Sequence, residues 1–323
     1  MKDLRKRLLL GLVFGFVVVL GVLFAADVRQ VTEFLTSFRW QLIPLILACT
    51  LFNYLLRFYK WHYYLGLIGA GRLPWVESAR LFVGGFPLAV TPGKVGEALK
   101  GVWLKEAAGV PVASGVTVVL AERISDGIAV LFLSLFGVVV YPQFWPAFLA
   151  VFLGLSLVII ISQIRPLALK ILALFEHLPL LNRLTPQFFK LYESASTLFR
   201  PAPTILSVAI GMVSWLGEGI GMYLVLLGLG LPASWLTFSS AVFVLSFSTV
   251  IGAVSALPGG LGAAEASIAG LLALTLNPGR NLAAAATLLI RFFTLWFAVI
   301  LGLLVWAFSK DIPVRHSDTS ISE

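Results

Sequence analysis

Long apolar runs recur from one end of this chain to the other, at residues 8–26, 42–65, 113–140, 144–162, 204–229 and 282–308. A helix needs roughly 17–25 such residues to cross a bilayer, so each run is expected to span a membrane. Charged residues make up 12% of the sequence and hydrophobic ones 59%, whereas soluble domains carry about 25% charged residues. No stretch remains that could build a separate soluble enzyme domain. The expected fold is an all-α polytopic membrane protein: about six full spans plus two re-entrant helical hairpins forming an inverted repeat. The parts are an N-terminal anchor and outer loop (1–41), a first repeat with its hairpin (42–140), a linking span and cytoplasmic amphipathic segment (141–202), a second repeat (203–309) and a polar tail (310–323).

The formal charge of +8 is informative through its placement, because cytoplasmic loops are enriched in Lys and Arg. Lys2, Arg5, Lys6 and Arg7 precede the first run, which is too long for the core of a signal peptide. With the N-terminus inside, Lys60, Arg72, Arg165, Lys170, Arg183, Lys190, Arg200, Lys310 and Arg315 also fall inside, and the outer connections carry only Arg29, Arg39 and Arg280. An inner (cell) membrane with both termini cytoplasmic is the expected location. Segment 165–200 mixes isolated cations with leucines and phenylalanines, which suits amphipathic helices at the interface or a solvated connector. The basic and aromatic cluster from Arg57 to Tyr64 reads as an interfacial anchor rather than a nucleic-acid surface. Gly211, Gly217, Gly219 and Gly221 suit close helix packing. Cys49 stands alone, and His62, His177 and His316 lack metal-ligand spacing, so no metal site is expected.

Two shorter apolar segments, 77–90 and 235–257, each run into Pro-Gly. The first break reads PGKVGEA and the second PGGLGAAEA; Pro92, Gly93, Gly96 and Glu97 correspond to Pro258, Gly259, Gly262 and Glu265. Arg123 follows the first break and Arg291 the second at similar distances, giving a two-copy internal repeat. Broken helices meeting near the midplane in inverted repeats are a recurring transporter architecture. Proline suits a helix start, glycine permits close backbone approach, and a helix N-terminus favours an anion. Each break is therefore a candidate phosphate site, with Lys94 adding charge in the first copy only. An ordinary interfacial turn is the plainer alternative.

Residues 121–127, AERISDG, place three ionisable groups inside a span. Glu122 and Asp126 share a helix face, and Arg123 is spaced to pair with Asp126. Such groups cost at least ~2.5–3.5 kcal/mol each at mid-membrane, so they face partners or a cavity. Glu218 and Arg291 are isolated in other apolar runs and must find partners on other helices. An internal ion pair and a functional polar lining both account for the pattern.

The combination VTPGKVGEALKGVWLKE, VVLAERISDG and SALPGGLGAAEASIAGLLAL resembles the lysylphosphatidylglycerol synthase transmembrane region family of flippase-like proteins, over nearly the whole chain. The resemblance implies movement of a lipid between leaflets, with no cofactor. Relatives carry a fused soluble aminoacyl-transferring domain that is not expected here, so synthase chemistry is not implied. It points to Pro92, Gly93, Gly96, Glu97, Glu122, Arg123, Asp126, Pro258, Gly259, Gly262 and Glu265 as site residues; the isolated charges add Lys94, Glu218 and Arg291. The expected activity is translocation of an anionic phospholipid, glycolipid or polyprenyl-linked lipid. The expected partners are a lipid headgroup and a lipid-modifying transferase, with no nucleic acid. The alternative is an intramembrane enzyme or accessory transferase subunit in which Glu122 or Asp126 acts as base.

Overall fold

The computed structural model describes residues 2–91, 96–176 and 185–309, and every regular element among them is helical. Pro92, Gly93, Lys94, His177, Arg183 and the tail 310–323 lie outside the described residues. The protein is an all-α polytopic membrane protein. Helical stretches Trp40–Leu67, Pro142–Gln163, Pro201–Gly228, Trp235–Val254 and Arg280–Phe308 are long and apolar enough to cross a membrane. A sixth is formed if Leu8–Phe24 is joined to Val28–Ser37 across a bend of 99°.

Helix α1 (Lys2–Ala25) ends at that bend, where the Asp27 carboxylate accepts from the backbone N–H groups of Arg29 and Gln30 and starts α2 (Val28–Ser37). An aspartate at this position satisfies N–H groups that would otherwise lack partners. The next helix, α3 (Ile43–Leu67), buries Thr50, Asn53, Arg57, Lys60 and Tyr64 and turns Leu51, Phe52, Leu55 and Tyr59 outward. The buried positions recur at steps of three and four, so they form one polar stripe. Burying the polar face and exposing the apolar one is the arrangement a lipid solvent favours.

After α4 (Trp75–Gly84), a short 3-10 turn (Phe86–Val90) leads to the first break, and α5 (Leu99–Ala108) leaves it. Thr91 pins this break: its hydroxyl accepts from the Gly96 N–H at 3.0 Å and donates to the Leu88 carbonyl at 2.6 Å. Helix α6 (Val112–Val138) follows, then α7 (Trp145–Gln163), α8 (Arg165–Glu176) and α9 (Thr185–Leu198). Within the segment 165–200, Arg165–Glu176 and Thr185–Leu198 are helical, as the amphipathic reading requires. Helix α9 buries Ala195 and Leu198 and docks on the start of α6, where the Ser194 hydroxyl donates to Ser114 at 2.8 Å.

Helix α10 (Pro201–Gly228) lies against α3, α6 and α11 (Trp235–Val254). Its glycines permit this: a Cβ at Gly211 would come within 2.9 Å of Ala129, at Gly217 within 3.0 Å of Phe52, and at Gly219 within 3.0 Å of Val242. Small residues let helix backbones approach in this way. The second break, Pro258–Gly260, leads into α12 (Ala263–Thr275). The last span joins α13 (Arg280–Arg291) to α14 (Phe297–Phe308) through a π turn, Phe292–Trp296. Within that turn the Thr294 carbonyl accepts from the Tyr54 hydroxyl at 2.7 Å.

The two broken elements differ in size. Helix α11 has 20 residues and is long enough to cross, whereas α4 has 10. The segment 235–257 expected to be short is therefore a full-length helix. Gly84, Gly85 and Pro87 interrupt the first segment, and nothing comparable interrupts the second before Gly252. The turns at the two breaks nevertheless touch, with a Cβ at Gly259 falling 3.3 Å from Val90 Cγ1.

Candidate functional site

The polar stripe of α3 meets the charged turn of α6 inside the helix bundle. Arg57 donates to Glu122 at 2.7 Å through Nη2 and lies 3.3 Å from Asp126 through Nε. Lys60 pairs with Asp126 through a short contact and donates to Ser125 Oγ at 3.2 Å. All four charged groups are buried, Lys60 and Glu122 completely. Because Glu122 and Asp126 are one helical turn apart, a single guanidinium reaches both.

Arg123 bridges Glu97 and Glu122 and makes no ion pair with Asp126. Its Nε is 3.1 Å from Glu97, beside the first break, and its Nη2 is 3.5 Å from Glu122. The expected Arg123–Asp126 pairing is therefore replaced by Arg123–Glu97, while Asp126 pairs with α3. Local spacing permitted the first arrangement, but cations on another helix approach Asp126 from the side facing the bundle. Lys100 on α5 is the loosest cation: its Nζ lies 4.0 Å from Glu122 and sits over the rings of Trp61 and Phe82, at 4.9 and 5.2 Å. Such placement over aromatic faces is favourable for an ammonium with its water removed.

At the second break, Arg291 reaches Glu265 through Nε at 2.5 Å and donates to the Gly259 carbonyl at 3.0 Å. The other Glu265 oxygen accepts from the Gly262 N–H at 2.6 Å, at a residue whose φ of 84° favours glycine. The start of α12 is thus capped by its own glutamate. The carboxylate takes up the Gly262 N–H, and no internal acceptor is seen for the N–H groups of Ala263 and Ala264 among the described residues.

A cavity of about 450 Å³ joins these pieces. Glu97, Arg123, Asp126, Glu218, Gly259 and Arg291 line it, as do Arg57, Lys100, Tyr54 and Trp215. Of the other sequence candidates, Glu122 and Glu265 stand behind the wall as ion-pair partners, and Gly96, Pro258 and Gly262 shape the breaks without lining the cavity. Pro92, Gly93 and Lys94 lie outside the described residues. The rest of the wall includes Val130 from α6, Val151 and Leu155 from α7, and Val250 and Val254 from α11, so an apolar surface continues from the charged one.

Arg57, Lys60, Trp61 and Tyr64 depart from the interfacial-anchor reading of their cluster, since each is buried, whereas Tyr59 faces outward. A signal was present: Thr50, Asn53, Arg57, Lys60 and Tyr64 already lie on one face at helical spacing. The basic and aromatic composition at the end of an apolar run concealed it. Lys100 carried no such signal, because its place depends on how α5 folds back on α6.

Among the described residues, no group of His, Cys, Asp and Glu could hold a metal ion. A UPF0104 membrane protein of Methanothermobacter thermautotrophicus is 26% identical over 283 residues, covering 81% of this chain and 82% of that protein. No solved structure matches. Residues 9–302 match the lysylphosphatidylglycerol synthase TM region, and the chain belongs to that family of membrane proteins.

Proposed function

We propose that the protein is a lipid translocase that moves an anionic phospholipid, glycolipid or polyprenyl-linked lipid between leaflets. The observation that carries this reading is the cavity, where Arg57, Lys100, Arg123 and Arg291 share the wall with Glu97, Asp126 and Glu218, and an apolar surface adjoins them. Its volume of about 450 Å³ is in the range of sites that take small polar groups, ~300–1,000 Å³. Charges held in pairs inside a bundle cost little further reorganisation when a headgroup enters. The apolar wall suits hydrocarbon tails that stay in the lipid.

Contact between the turns at the two breaks supports reading the halves as an inverted repeat about the cavity. The basic residues in the segments that join the spans, Arg72, Arg165, Lys170, Lys190 and Arg200, support a cytoplasmic placement for both termini in a cell membrane. A lipid-modifying transferase in the same membrane is the partner that this reading calls for. Bond chemistry is the weaker alternative, because Glu122 and Asp126 are both engaged by cations and neither is placed as a free base.

Reconstitution with fluorescent phosphatidylglycerol and a fluorescent polyprenyl phosphate, followed by quenching from one side, tests the reading. Arg123→Ala removes a charged contact worth about 1.5–3 kcal/mol, so movement is expected to fall by about tenfold or more. The paired variant Arg123→Ala/Glu97→Ala avoids leaving Glu97 uncompensated. Unchanged movement in that folded double variant, or no movement of either lipid by the wild type, contradicts the proposal.

A further inference from the structure

Four of the five buried carboxylates around the cavity have a cation of the protein within 3.5 Å: Glu97 has Arg123, Glu122 has Arg57, Asp126 has Lys60 and Glu265 has Arg291. The fifth, Glu218, has no ion pair within 4 Å and no hydrogen bond among the described residues. It is 5% exposed and lines the cavity. The charged and titratable groups that act on it electrostatically are Tyr54 and Arg57 on α3, Asp126 on α6 and Arg291 on α13. Both arginines are committed to other carboxylates, and the Tyr54 hydroxyl is committed to the Thr294 carbonyl. An ionised carboxylate buried without a partner costs several kcal/mol, so this position is built to receive something positive.

We propose that Glu218 binds one free monovalent cation, a proton or an alkali ion, that travels with the anionic headgroup. The inference rests on the transport reading above and adds a coupling ion to it. Charge supports it. Among the described residues, Arg57, Lys60, Lys100, Arg123 and Arg291 stand against Glu97, Glu122, Asp126, Glu218 and Glu265, so these ten groups sum to zero only with Glu218 ionised. A headgroup of single negative charge unbalances it, and one cation at Glu218 restores neutrality to a group that must pass through hydrocarbon. Calcium does not suit the position, because it requires six to eight oxygen ligands and the other acids of the described lining, Glu97 and Asp126, are held in ion pairs.

Trp215 lies three residues before Glu218 on α10 and lines the same cavity, so its fluorescence is a local reporter. The protein contains 9 tryptophans, and Trp215→Phe identifies its share of the signal. The purified protein in lipid nanodiscs is titrated with protons, and separately with sodium replacing N-methylglucamine at constant ionic strength. One of these titrations is expected to give a saturable change that is lost in both Trp215→Phe and Glu218→Gln, with folding of each checked by thermal unfolding. Absence of any saturable response in the wild type, or the same response in Glu218→Gln, overturns the proposal. A response that appears only when an amine-bearing lipid such as phosphatidylethanolamine is added also overturns it, by showing that the occupant belongs to the headgroup. Fluorescent-lipid movement in parallel separates the two readings: movement without a titration refutes the coupling ion alone, and a titration without movement refutes transport while leaving the cation site.

Discussion

Replacing Arg57 with methionine is expected to lower the stability of the protein by about 3–5 kcal/mol, the usual cost of removing one partner from a buried ion pair. The guanidinium is buried and serves two carboxylates, Glu122 at 2.7 Å and Asp126 at 3.3 Å. Asp126 keeps Lys60, but Glu122 retains only Arg123 at 3.5 Å and Lys100 at 4.0 Å. The penalty therefore falls mainly on Glu122. It follows that Arg57→Met/Glu122→Gln recovers at least half of the loss, because the uncompensated charge goes with the second substitution. Unfolding titrations in mixed detergent micelles measure both. Equal stability of wild type and Arg57→Met shows that the pair is not a structural anchor.

Arg291→Ala is expected to cost about 2–3 kcal/mol, from the loss of hydrogen bonds to a charged group, and to loosen the second break. One guanidinium holds both sides of that break, through the Gly259 carbonyl at 3.0 Å and Glu265 at 2.5 Å. Glu265 in turn holds the Gly262 N–H at 2.6 Å, the first turn of α12. Arg291→Lys keeps the charge but lacks the planar fork that reaches two acceptors in different directions, so it recovers at most half of the lost stability. Hydrogen exchange at the Gly262 amide is expected to quicken in Arg291→Ala and less so in Arg291→Lys. Unchanged exchange in both removes Arg291 from the account of the break.

Much of the fold was legible in the sequence because spanning helices are set by length and hydropathy, which one chain displays directly. The failures have local causes. Segment 235–257 forms a longer helix than expected because it lacks the Gly84-Gly85 and Pro87 interruptions that shorten the first segment. Around the site, the buried charges of α6 announced themselves because ionisable groups in a span require an explanation. Their partners did not: nothing within 121–127 reveals that Asp126 meets α3 or that Arg123 turns to Glu97. Pairing between helices is a property of packing, and periodicity reports only which face a residue occupies. The stripe from Thr50 to Tyr64 was legible in principle, since it obeys that periodicity.

On the transport reading, the charged cavity holds the headgroup of an anionic lipid. Native mass spectrometry of the purified protein, delipidated and then exposed to an equimolar mixture of phosphatidylglycerol and phosphatidylcholine, tests it most directly. Wild type is expected to retain phosphatidylglycerol over phosphatidylcholine, and a folded Arg123→Ala/Glu97→Ala protein is expected to lose that preference. Equal retention of the two lipids by wild type, or a preference that survives in the variant, contradicts the account.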